Sequence, residues 1–129
     1  MAFKTDDPAF EAGREMRRTL YGDAAVARLD ATDDFHEPLE DYVNRAVFGE
    51  TWTRAGLTIR ERAFITIGIT AALGRKVPLE RQIMAAINTG ATKDDIKEVL
   101  LQTTMYIGVA GGVESWQVAA DTLKAIGKY

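Results

Sequence analysis

The stretch Leu73-Gly74-Arg75-Lys76-Val77-Pro78-Leu79-Glu80-Arg81-Gln82-Ile83-Met84-Ala85-Ala86-Ile87-Asn88-Thr89-Gly90 carries the reading of the whole chain. Gly74 breaks the preceding segment. Pro78 reads as the first residue of a new helix, where its missing N–H does least harm, and Gly90 reads as that helix's end. Positions 78 and 82 then fall one turn apart on a single face. A proline and an amide at that spacing cannot pass a proton between them.

Working outward, helix signals dominate and no segment sustains a two-residue alternation. Asp7-Pro8 predicts a capped helix start, with Gly22 as its stop and a short second helix over 23–30. Phe35, Leu39, Tyr42, Val43, Ala46 and Val47 form one apolar stripe, expected to end at Gly49. After a polar turn over 50–56, Thr58 with Glu61 makes a capping-box pattern. The helix behind it, through Ala72, is apolar on nearly every side (Phe64, Ile65, Ile67, Ile69, Ala71) and must be surrounded, by its own domain or by a partner. Thr66 and Thr70 within it are expected to bond back to their own backbone.

Thr92 with Asp95 caps a sixth helix, and Gly111-Gly112 is expected to break the chain before the last one. Tyr106 continues an apolar stripe and is expected in the core. The fold class is all-α, a compact multi-helical array of about six to seven helices, with residues 1–129 expected to form one domain.

The totals exclude several functions. The chain has 129 residues and a formal net charge of −3, with 11 acids and 6 bases in residues 1–49 and 8 acids and 10 bases thereafter. No basic cluster offers a phosphate surface, so nucleic acid is not an expected partner. No apolar run approaches the roughly 20 residues that span a bilayer, so no membrane partner is expected either. The first residues lack the apolar core of a signal peptide, which makes the cytoplasm the expected compartment. With no cysteine there is no disulfide, thiolate metal site or thiol nucleophile, and the one histidine, His36, excludes a histidine-rich metal centre.

Seven blocks in order carry a family resemblance. They are Thr32-Asp33-Asp34-Phe35 with Pro38-Leu39; Phe48-Gly49-Glu50-Thr51-Trp52-Thr53-Arg54-Ala55-Gly56-Leu57; Arg60-x-Arg62; Leu73-Gly74-Arg75; the segment to Gly90; Glu98-Val99-Leu100-Leu101-Gln102; and Tyr106-x-Gly108-Val109. Together they resemble the γ-carboxymuconolactone decarboxylase family. The resemblance implies the all-helical fold of alkylhydroperoxidase-D-like proteins and homo-oligomeric rings, hexameric or trimeric. It also implies pockets near subunit contacts and decarboxylation of a lactone acid in aromatic-compound catabolism. The hydroperoxidase branch needs a Cys-x-x-Cys pair and is excluded here. Against the family pattern, Pro78 replaces a Glu, Gln82 a His, Met84 an Arg, and Ile107 a position often held by Cys.

Removing CO2 from such an acid leaves an electron pair that the conjugated carbonyl can accept, so no metal or organic cofactor is required. The protein must hold any second carboxylate, stabilise an enolate oxygen and return a proton to carbon. Gln82 offers an amide donor to the oxygen. Arg54 and Arg62 offer guanidinium forks to a carboxylate. Glu50 is the first candidate for the proton, beside Trp52 whose ring would desolvate it; the alternative is a solvated helix-end carboxylate. His36 is the second, in an acidic stretch where a surface histidine is the plain alternative. Glu114 is a third. Trp52 and Trp116 line a pocket or anchor a core. Two functions stay open: a cofactor-independent lyase, or an isomerase or hydrolase, on a small lactone- or muconate-type acid; and a non-catalytic oligomeric binder of small acids.

Overall fold

The computed structural model describes residues 7–129, all of whose regular structure is helical. The helices gather in two compact units, one up to Ile59 and one from Arg60 to Tyr129.

In the first unit, α1 (Pro8–Tyr21) starts as its sequence predicts: the Asp7 carboxylate accepts the Ala9 N–H at 2.9 Å, and Pro8 opens the first turn. Gly22, at φ 86°, ends it, and α2 (Asp23–Asp30) follows, burying Ala25, Val26 and Leu29. α3 (Glu37–Tyr42) passes without a break into a π-helical segment, Val43–Thr51. Its wider winding shows in bonds that reach five residues back, Trp52 N–H to the Val47 carbonyl (2.9 Å) and Thr51 Oγ1 to that of Ala46 (2.8 Å).

The expected stop at Gly49 is therefore corrected. Gly49 lies inside the winding because α1 crosses it there: a Cβ on Gly49 would sit 2.0 Å from the Ala9 carbonyl oxygen. Asn44, fully buried, donates from Nδ2 to the Phe10 carbonyl at 2.8 Å and ties the two elements together. The predicted apolar stripe is not a buried face: Phe35, Leu39 and Tyr42 are exposed and Val43, Ala46 and Val47 half-buried, while Phe48, outside the stripe, is the buried aromatic residue.

The second unit comprises α4 (Ile59–Ala72), α5 (Lys76–Asn88), α6 (Lys93–Ile107) and α7 (Val109–Ala125), with α5 and α6 both packed on α7. Its core holds Ala63, Ile67, Leu79, Ile83, Ile96, Leu100, Ala119 and Leu123. Thr66 and Thr70 bond back to the carbonyls of Arg62 and Thr66, each at 2.8 Å, as expected of hydroxyls in an apolar helix. The Thr92–Asp95 capping box forms with both reciprocal bonds, at 2.8 and 3.1 Å.

Three expectations change here. α5 begins at Lys76, two residues before Pro78, whose missing N–H still falls in the first turn, where no intrahelical partner exists. The break before α7 is at Gly108 (φ 94°), not at Gly111-Gly112, which lie within α7. Gly112 is there because the Thr104 side chain of α6 occupies the space a Cβ would need, 2.4 Å away. Tyr106 is 84% exposed rather than in the core.

Candidate functional site

The turn joining α4 to α5 is a Schellman closure: the Arg75 N–H reaches the Thr70 carbonyl at 3.0 Å and the Gly74 N–H that of Ala71 at 3.1 Å. Gly74 takes φ 68°, which the closure requires and which a side chain disfavours. This turn, with the start of α5 and one face of α7, lines a half-open cavity of 160 Å³. Its lining combines small and apolar residues (Ala71, Ala72, Leu79, Val118) with the exposed side chains of Arg75, Lys76 and Glu114 and the buried Ser115. Ser115 is buried and donates to the Gly111 carbonyl at 2.8 Å, leaving its lone pairs as acceptors.

Two more open and larger depressions, of about 460 and 520 Å³, flank the unit. One is lined by Thr104, Val109, Gly112, Val113, Trp116, Gln117 and Ala120; the other by Phe64, Ile65, Val99 and Thr103, with Asp95, Glu98 and Gln102.

The sequence-predicted residues fall in both units. In the first, Glu50 is exposed on the π segment, near Arg45, whose guanidinium is held chiefly by its hydrogen bond to Asp41. The desolvation expected from Trp52 does not arise: Glu50 keeps its solvent, and Trp52 is buried, stacked on Phe48 with centroids 6.2 Å apart. His36 is exposed just before α3. Its ring nitrogen donates to Asp33 at 2.7 Å, and that bond holds the Asp33 carboxyl below the usual carboxylate range. Arg54 is exposed in the following turn.

In the second unit, Arg62 is half-buried in the first turn of α4, and Gln82 is 9% exposed on α5; each is engaged by a neighbour. Trp116 lines the first of the two open depressions and donates from Nε1 to Thr104 Oγ1 at 3.2 Å. None of these three lines the 160 Å³ cavity.

Of the cavity's polar residues, sequence reasoning named only Glu114, and as its weakest candidate. Arg75 belongs to the Leu73-Gly74-Arg75 block and was visible as a matched residue without a role. Its signal was the glycine before it, which places the next side chain at a helix-to-helix turn. Chemically, the cavity offers two cations, one carboxylate and one hydroxyl to a small polar molecule. A volume of 160 Å³ lies below the roughly 300–1,000 Å³ of pockets for drug-sized ligands.

Known proteins are similar to the chain over most of its length. Residues 37–121 match the group described as the "Carboxymuconolactone decarboxylase family". The chain is 32% identical over 123 residues to "4-carboxymuconolactone decarboxylase" of Acinetobacter baylyi, covering 95% of this chain and 92% of that protein. It is 28% identical over 117 residues to "Nitrosuccinic acid decarboxylase npaB" of Metarhizium robertsii, covering 88% and 80% respectively.

Proposed function

The chain belongs to the carboxymuconolactone decarboxylase family, and from that premise we propose that it is a cofactor-independent carbon–carbon lyase releasing CO2 from a small carboxylic acid. The observation that carries this reading is that both relatives, matched over most of their length, are named as decarboxylases. Their named substrates share one property. A lactone carbonyl and a nitro group each accept the electron pair that CO2 leaves behind, so the acceptor travels with the substrate. A lactone- or muconate-type acid from aromatic breakdown fits this class, and an isomerase or hydrolase acting on a related lactone would use the same enolate-stabilising donors.

Two tasks then fall to the protein. Hydrogen-bond donors must meet the developing oxyanion, a role suited to the Gln82 amide, and a cation must meet the substrate's carboxylate, for which Arg54 and Arg62 are candidates. A proton must also reach carbon. Glu50 is the first proposed donor and His36 the second, because Pro78 and Gln82 replace the family's carboxylate and imidazole. General acid–base catalysis is typically worth about 10²–10⁴ in rate.

The test is turnover of a panel of muconolactones and nitro-substituted dicarboxylic acids, followed by CO2 release. Wild type is expected to decarboxylate at least one, and Glu50→Gln to lower that rate at least tenfold. Gln82→His restores the family imidazole and is expected to raise the rate. The replacement of Glu and His also favours a second reading, a non-catalytic binder of small acids. Thermal stabilisation by these acids with no CO2 released from any of them would select it.

A further inference from the structure

Five of the ten arginines are seen to spend their charge on a carboxylate. Arg14 pairs with Asp30, Arg17 with Glu40, Arg18 with Glu15 and Asp23, Arg45 with Asp41, and Arg60 with Asp95. Arg75 and Lys76 do not: among the described residues neither side chain makes an ion pair or hydrogen bond, and neither does Glu114. All three line the same 160 Å³ cavity. Two adjacent cations and one acid give the cavity a net charge of +1. Its small apolar residues suit a short carbon skeleton, and the Schellman turn fixes where the Arg75 backbone emerges.

We propose that this cavity is a carboxylate subsite, in which Arg75 and Lys76, rather than the Arg54 and Arg62 that the family match offers, hold the carboxylate that a dicarboxylic substrate keeps while its other one departs as CO2. The inference rests on the lyase reading for the word substrate, and on the cavity alone for the binding. Carboxymuconolactone and nitrosuccinic acid, the compounds named for the relatives, each carry two carboxyl groups. One is lost and the other must be anchored. The planar guanidinium of Arg75 matches a carboxylate edge, and Lys76 adds a point charge. Glu114 repels a second carboxylate from the same cavity, so a dicarboxylate enters by one end only.

The probe is succinate, with uncharged succinamide as control, titrated into the intact protein and followed by backbone amide NMR. Succinate is expected to perturb residues 71–76 and 111–118, with an affinity that falls as salt rises. The double variant Arg75→Ala/Lys76→Ala is expected to weaken it at least tenfold, and Glu114→Gln to tighten it. All three side chains are solvent-facing, so the variants keep their thermal midpoint. Equal binding of succinamide, unchanged binding by the double variant, or perturbations confined to other residues would overturn the subsite. On any acid that turns over, the double variant should raise KM tenfold with kcat within about threefold; an unchanged KM removes the subsite and leaves the lyase standing. If no acid turns over while succinate still seats here, the lyase reading falls and the subsite stands.

Discussion

Gly13 lies in α1 where a Cβ would come within 1.9 Å of the Asn44 carbonyl oxygen, and that oxygen is backbone, with little freedom to move aside. In an open helix, alanine would be favoured over glycine by roughly 1 kcal/mol. Here the sign reverses. Gly13→Ala is expected to destabilise the first unit by about 1–3 kcal/mol or more, read as a lowered thermal midpoint. A rise in midpoint would mean that α1 and the π segment do not approach this closely. Residue-scale features that depend on near neighbours were legible beforehand: the Asp7 cap, the Thr92–Asp95 box and the Gly90 turn all involve groups within four residues of each other. Gly13 and Asn44 were not legible, because each matters only once distant chain segments touch.

Among the elements, the contact of α6 with α7 turns on Gly112. Its missing side chain makes room for Thr104, whose hydroxyl bonds the Leu100 carbonyl (2.7 Å) and accepts from Trp116 Nε1 (3.2 Å). Gly112→Ala is expected to displace Thr104, break the tryptophan bond and shift Trp116 fluorescence, with a stability loss of about 1–3 kcal/mol. Unchanged emission and midpoint would refute this packing account. Sequence reasoning took Gly111-Gly112 for a chain break because glycine pairs usually are one. The pair serves packing instead, and Gly108, with its positive φ, supplies the break. The π segment is not legible in sequence for a related reason: its apolar residues follow helical spacing, and the wider winding shows only in the bonds that reach five residues back.

Across the whole molecule, exposed apolar side chains are the leading feature. Phe35, Met105, Tyr106, Val109 and Val113 are each more than 60% exposed. Four of them, Met105, Tyr106, Val109 and Val113, lie together along the α6–α7 junction, and a contiguous apolar patch in water marks an interaction surface. We therefore expect self-association, with sedimentation giving an oligomer at micromolar concentration and Tyr106→Glu shifting it toward smaller species; a stable wild-type monomer would end the idea. No described helix is long and apolar enough to cross a membrane.

Acid sensitivity belongs to the same scale. Asp30 is held below its usual range by the Arg14 hydrogen bond, Asp33 by His36, and Asp95 by the Thr92 backbone N–H. Groups with a depressed folded value add stability above the ordinary value of 3.8 and lose it as pH falls through the folded one. The thermal midpoint should thus drop progressively below about pH 4, and less steeply in Asp95→Asn.

Sequence alone determined the helical class, most of the helix boundaries and the family, because caps, glycine stops and apolar spacing act between residues a few positions apart. The candidate proton donors and amide could be named from it, but not placed. Tertiary structure decided which glycines serve packing rather than turns. It also brought Arg75, Lys76 and Glu114 to one cavity, since that requires the far end of the chain, α7, to fold back against the start of α5. Local chemistry writes a helix, and only contact between helices makes a cavity.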